Sequence, residues 1–380
     1  MFLALKNIGN YRLKQQKIVF FAFSKNNYEA LKPIYEILKP KSILLSRKIK
    51  HDGEVLFMPV FIPLLLSYLY LPKYIGFYIK ATKDDKKILE LKFDKVLYSL
   101  GYELFCKLYV SWLAPRAIVF ANDHIFYTRV FTSIAERKGI KCFFLQHSST
   151  FDNVPKIYSS FALLEGNHAK EKYLKAGSDE KKIQLIGMPK FDEYIYYINN
   201  NNTLNRIGIC TNRSMNTEDT SEMIDFIRQK FPKFQLILRP HPGLESKDKY
   251  IDIIKRYKLE FSDSKKINTF YFLKDVDAVI SGNSSILLEA AIQNVFPIYY
   301  FTPKTEFYYN HDRFDKYDYV KNKVAASVEN LGGLEELLRN LIKYKPFIRN
   351  NAKHYCDTIG TPHDGKSAIL AAETIEDLII

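Results

Sequence analysis

The chain has 380 residues, 47% of them apolar and 26% charged, with a formal net charge of +14. That length exceeds one ordinary core and suits two domains, and the composition is globular. Four cysteines (Cys106, Cys142, Cys210, Cys356) stand far apart with no CxxC and no paired His, which excludes a zinc site and a disulfide framework and fits a reducing compartment. Beyond solubility, the basic balance leaves three partners: nucleic acid, an anionic membrane surface or anionic substrates. With no basic-aromatic motif, zinc finger or helix-turn-helix signature, nucleic acid is the weakest of these.

Met1–Gln16 carries charges but no continuous apolar core, so no secretory signal is read there and a cytoplasmic protein is expected. Short apolar runs then alternate with helical patterns, the signature of βαβ units and a parallel sheet. The pattern predicts strands at Ile18–Phe23, Ser42–Leu45, Ala117–Ala121, Lys141–Gln146, Phe161–Leu164 and Gln184–Ile186. Helices fit Tyr28–Leu38, Ile88–Leu113 with breaks, and Ile125–Lys138, the last stopped by Gly139. The strongest apolar run, Val55–Lys80, contains Pro59, Pro63 and Pro72 and is too broken for a membrane span. It reads as a buried or interfacial helix. With Lys73, Lys80, Lys83, Lys86 and Lys87 beside it, two readings stand: a surface resting on anionic lipid at the inner face of the membrane, or a core element next to a solvated charge run.

Asn199–Asn202 is the best linker candidate. After it the alternation restarts, with strands at Ile207–Cys210, Gln235–Leu238, Ala278–Ile280 and Phe296–Tyr300 and helices at Ser221–Lys230, Lys247–Tyr257 and Ile286–Asn294. The expected fold class is α/β, two doubly wound Rossmann-like domains facing a cleft: residues 1–198 binding an acceptor, a linker at 199–205, residues 206–365 binding a donor, and a C-terminal helix at 366–380.

The chemistry gathers where strands should end, the place where open α/β sheets bind ligands. Arg239-Pro240-His241-Pro242 follows one strand; the prolines stiffen the turn, an Arg offers a fork to phosphate, and His gives a donor or acceptor. Ser281-Gly282-Asn283-Ser284-Ser285 follows another and runs into a helix, an arrangement suited to an anion, with Glu289 one turn on and placed to accept from a ribose hydroxyl. Thr211-Asn212-Arg213-Ser214 is a further phosphate contact, or simply a loop. In the first domain His147 follows a strand and is the expected base toward an acceptor hydroxyl, with Asp123-His124 ranked second and Asp152 and Glu165 near the same edge. Each has a plainer alternative: a helix cap for the serines, a strand-end ring for the histidines. Gly187-Met188-Pro189-Lys190-Phe191-Asp192 reads as a hinge turn. There is no GxxxxGKS loop, strand-linked GxGxxG, GxSxG elbow or strand-end DxD pair. No metal and no cofactor is therefore expected.

At these residues the chain resembles the bacterial GT-B-fold transferases of surface-polymer synthesis, the group spanning CDP-glycerol glycerophosphotransferases and sialyltransferase-like enzymes of capsule and lipooligosaccharide. The resemblance covers Gln146-His147, Gly187–Asp192, Arg239–Pro242, Ser281–Glu289 and Asp364-Gly365-Lys366-Ser367. It implies a cytidine-nucleotide donor held by His241, Ser284 and Ser285, with Glu289 on ribose, and a glycan or lipid-linked glycan as acceptor. Ser148 stands where the glycerol branch has Gly, and Glu289 where that branch has Asp, so the donor stays open between a CMP-sugar and a CDP-polyol. A sugar-nucleotide 2-epimerase shares the architecture but would need several acid/base carboxylates in the cleft.

Overall fold

The computed structural model describes residues 17–46, 55–58, 61–123, 125–212, 215–241, 243, 247–301, 314–341 and 347–379. Met1–Gln16, His124, Arg213 and Pro242 lie outside them.

The first domain runs β1 (Ile18–Ala22), α1 (Lys25–Leu38), β2 (Ser42–Ser46), β3 (Val55–Phe57), α2 (Phe61–Tyr68), α3 (Leu71–Lys80), α4 (Lys83–Leu91), α5 (Phe93–Leu113), β4 (Ala117–Phe120), α6 (Phe126–Arg137), β5 (Lys141–Leu145), β6 (Phe161–Leu164), α7 (Asn167–Lys175) and β7 (Ile183–Leu185). Its seven strands are ordered β3-β2-β1-β4-β5-β6-β7 and every pairing is parallel. Strands buried on both faces need no polar alternation, and β1 reads Ile-Val-Phe-Phe-Ala throughout. The pleat still sorts them: Ile18, Phe20 and Ala22 pack with α1, while Val19 and Phe21 pack with α5 and α6.

The second domain runs β8 (Arg206–Thr211), α8 (Thr217–Lys230), β9 (Gln235–Pro240), α9 (Lys247–Tyr257), β10 (Glu260–Phe261), α10 (Thr269–Lys274), β11 (Ala278–Ser281), α11 (Ile286–Ile292), β12 (Phe296–Tyr300), β13 (Ala326–Val328) and α12 (Leu331–Asn340). The order β10-β9-β8-β11-β12-β13 is again all parallel and doubly wound, reversing direction between β8 and β11. The closing helix α13 (Ser367–Ile379) returns to the first domain, where Ala368, Ala371, Ala372 and Ile375 join Ile18, Phe20, Leu31 and Ile34 in one core.

One segment differs from expectation. Val55–Lys80 is not one helix: it gives β3, then α2 and α3 meeting at a 60° bend, and its helices are largely exposed. Pro72 sits at the first turn of α3, where a missing N–H costs nothing, so the chain restarts a helix there instead of continuing one. The asparagine run is ordered by a buried carboxylate. Asp277 accepts from Asn201 Nδ2 at 2.7 Å, Asn199 Nδ2 at 3.3 Å, and the backbone N–H groups of Asn205 and Arg206 at 2.9 and 3.0 Å. Burial opposes its ionisation, but those hydrogen bonds outweigh it and hold the carboxyl below its ordinary value.

Candidate functional site

Five of the anticipated donor residues meet in one place. A cavity of about 180 Å³ at the carboxyl edge of the second sheet is lined by Cys210, Thr211, Arg239, Pro240, His241, Ser264, Thr269, Ser284, Ser285, Ile286 and Glu289. Thr211 ends β8 and the serines follow β11, so the cavity sits at the switch point of the sheet. His241 is set by its own N–H donating to Thr211 O at 3.0 Å. Its Nδ1 accepts the Gly243 N–H at 3.0 Å, which makes Nε2 the protonated, donating nitrogen of the neutral ring. Ser285 Oγ donates to Glu289 Oε1 at 3.2 Å. The Thr211 hydroxyl is buried and has no hydrogen-bond partner, an unmet polar group facing a polar cavity.

Arg239 is placed differently from the free fork expected of it. Its guanidinium is buried, donates to Ser262 Oγ at 2.7 Å and Ile267 O at 2.8 Å, and lies 4.8 Å from the Phe272 ring centroid. It therefore braces the segment that brings Ser264 and Thr269 to the cavity wall. Ser281 donates to Cys210 O at 2.7 Å, and Asn283 Oδ1 accepts from Lys316 N at 3.1 Å, so both fix the loop and neither lines this cavity.

Ser285 and Glu289 also line a second cavity of about 440 Å³, which reaches across to the first domain. There it is walled by Asn26 and Glu29 of α1, His147, Ser148, Ser149, Glu165 and Lys190. His147 follows β5 and Glu165 follows β6, at the carboxyl edge of the first sheet. Gln146 locks Glu165 in place: its Nε2 donates to Glu165 Oε2 at 3.1 Å, and its Oε1 accepts Glu165 N–H at 2.9 Å. Lys190 donates to His147 O at 3.0 Å and lies 3.7 Å from Glu165 Oε1. Burial pushes the Glu165 carboxyl above its ordinary value, against the pull of Lys190. Burial likewise raises Glu289, opposed by Lys190, the Ser285 hydrogen bond and Arg239. Asp123 is buried behind β4 and lines neither cavity.

Lys190 was legible only as part of a turn. That turn is also a crossover: Gly187 holds φ +73°, and a Cβ there would lie 2.3 Å from Thr358 Oγ1. Asp192 accepts from Ser367 N and Ala368 N at 2.9 and 2.7 Å, capping α13. The motifs at 187–192 and 364–367 thus meet where the chain passes back to the first domain.

No protein-family model and no curated sequence matches the chain. Solved structures do match its fold. One is the UDP-GlcNAc 2-epimerase from Neisseria meningitidis bound to UDP-GlcNAc, at TM-score 0.61 and 11% identity over 95% of this chain and 100% of that one. Another is a co-structure of S. aureus MnaA with UDP, at 0.59 and 9% over 96% and 98%. A third is the wall teichoic acid polymerase TagF soaked with CDPG, at 0.54 and 14% over 100% and 96%. At such identities the likeness is one of fold: the chain is a two-domain α/β protein of GT-B architecture with Rossmann-like halves.

Proposed function

We propose that the chain is a transferase of surface-glycan synthesis that moves a sugar, of the sialic-acid-like nonulosonic class, from a cytidine-nucleotide donor to a glycan or lipid-linked glycan hydroxyl. The observation that carries this reading is the convergence of Thr211, His241, Ser284, Ser285 and Glu289 on one cavity that shares its wall with the His147 cavity across the cleft. The donor's phosphate would lie against His241 Nε2–H and the serine hydroxyls, with ribose on Glu289. The acceptor hydroxyl gives its proton to His147 as its oxygen attacks the anomeric carbon. The bond to phosphate breaks with inversion, and the nucleotide leaves with the electron pair, stabilised by those same donors and with no metal. The setting would be the inner face of the membrane, where lipid-linked acceptors are presented.

A second reading, a sugar-nucleotide 2-epimerase, gains from one feature: Glu165 and Glu289 face the same cavity, both held toward the protonated form. With pKa values raised toward the working range, one such carboxyl can take the proton from sugar C2 as the nucleotide leaves C1 with the electron pair of that bond, and the other can return a proton to C2 as the nucleotide adds back, without any acceptor. Chromatography of reaction mixtures separates the possibilities. Release of CMP from a CMP-sugar only when a glycan acceptor is added supports the transferase. Turnover of CDP-glycerol turns it into a polyol-phosphate transferase. Acceptor-free conversion of UDP-GlcNAc to its C2 epimer replaces it with the epimerase.

A further inference from the structure

Residues 61–93 hold thirteen of the twenty-eight large apolar side chains exposed among the described residues. Monomers scatter such residues singly, and a continuous exposed set marks an interaction surface. Phe61 and Leu65 of α2 are 62% and 52% exposed, Leu69 at the bend 69%, Ile79 of α3 68% and Leu91 of α4 74%. This is not a core element left loose. The inner face of α2 is clamped to α5, so tightly that a Cβ on Gly101 would stand 2.3 Å from Pro63 O and 2.4 Å from Ser67 N. By contrast α3 buries only Tyr74, and α4 buries no residue.

Charge decides what covers the face. Six lysines (Lys73, Lys80, Lys83, Lys86, Lys87, Lys92) fall within residues 71–92 against three acids, Asp84, Asp85 and Glu90. Lys73 Nζ lies 5.7 and 5.6 Å from the Tyr70 and Phe77 centroids, and Lys86 Nζ 5.5 Å from that of Tyr78. The ammonium groups thus sit over aromatic rings of the same face, so positive charge is interleaved with its apolar surface. A second copy of the chain would set like charge against like charge. An anionic bilayer takes both features, the apolar residues at the acyl boundary and the lysines among headgroups. Among the described residues no single helix is long and apolar enough to cross a membrane; α2 and α3 reach that measure only as a pair bent by 60°, and the clamp of α2 on α5 favours a helix lying on the bilayer over one passing through it.

We infer that α2–α4 form an in-plane docking surface for an anionic lipid bilayer. The patch is tied to the cleft: Tyr98 and Tyr102 of α5 meet Tyr127 at 6.1 and 5.2 Å, and Tyr127 stacks on Phe23, just past β1, at 5.2 Å. Docking would therefore set the carboxyl edge of the first sheet in a fixed relation to the membrane. The inference does not depend on which nucleotide fills the cleft.

Co-sedimentation with vesicles tests it, using phosphatidylcholine alone and phosphatidylcholine with phosphatidylglycerol. The protein is expected to sediment with the phosphatidylglycerol vesicles and to be released as salt rises. The triple variant Leu65→Glu, Leu69→Glu, Ile79→Glu should lose at least about tenfold in binding, the partition value of even one buried aliphatic side chain. Its melting temperature and nucleotide-induced shift should match wild type, because all three side chains are exposed. The charge variant Lys73→Glu, Lys80→Glu, Lys87→Glu should lose the preference for phosphatidylglycerol. Wild-type protein left in the supernatant with both vesicle types, or binding both equally, would overturn the inference. So would an oligomer that the apolar triple variant disperses, since a second copy would then be the cover.

Discussion

Thr211 carries the sharpest test at the level of single residues. A buried hydroxyl without a partner costs roughly 1–3 kcal/mol, so Thr211→Val should leave the empty protein as stable as before or more stable by about 1 kcal/mol. If the hydroxyl is kept for a ligand, the same change should weaken nucleotide binding about tenfold, a loss of about 1.4 kcal/mol measurable by calorimetry. Equal affinity would mean the hydroxyl faces no ligand. Glu165 is tested by pH. Its carboxyl is raised in the folded state, so above the ordinary Glu value the folded chain holds more protons than the unfolded one, and stability falls as pH climbs through that window. Glu165→Gln removes the slope: relative to wild type it should gain stability as pH rises above about 4.3, followed by thermal melts across pH. The residues at strand ends were legible because each follows an apolar run that stops at a polar turn. Glu165 and Lys190 were legible only as an edge carboxylate and a turn lysine, because what defines them is each other, across a separation that no local pattern encodes.

Among elements, the contact between α7 and the loop after β12 joins the domains. His168 is buried, donates through Nε2 to Asp318 Oδ2 at 3.1 Å, and stacks on Tyr355 at 4.4 Å. Lys172 Nζ reaches Asp152 Oδ1 at 2.7 Å and Asp318 Oδ2 at 2.5 Å, completing a clasp between the halves. Burial pushes the His168 ring down to about 4, more than its bond to Asp318 raises it. The unfolded ring takes its proton near 6.5, so between about 6.5 and 4 the unfolded chain binds more protons and stability falls as pH drops. His168→Gln should show a flatter melting profile over that range; an unchanged profile would mean the ring is protonated in place. Where α5 meets α2, Gly101→Val should cost about 3 kcal/mol by forcing α2 off α5, and should lower vesicle binding in parallel. The long central strands and the helices that cover them could be read from periodicity. Of the short edge strands, β7 was legible at Gln184–Ile186, but β3, β10 and β13 were not, and α10 and α12 announce themselves mainly through the caps at Asn268 and Asn330.

The whole molecule places two switch-point edges across one cleft, with Glu289 in the wall of both cavities. That architecture followed from the repeated strand–helix alternation, which allows few alternatives once connections are short and right-handed. The return of α13 onto α1 was not legible: an amphipathic helix fits either domain, and what commits it to the first lies far off in sequence, Asp192 capping Ser367 and Ala368, Lys141 donating to Leu378 O, and the core its alanines share with β1 and α1. The same limit applies to chemistry, because this fold serves transfer and epimerisation alike and the deciding contacts lie between halves. The most direct test of a cytidine-nucleotide site in the second domain is calorimetric titration of CMP, CDP, UMP and UDP into wild type and His241→Ala. The cytidine nucleotides should bind wild type in preference to the uridine ones, and His241→Ala should lose most of that affinity. Failure of all four nucleotides to bind, or a uridine preference indifferent to His241, would contradict the cytidine-nucleotide site.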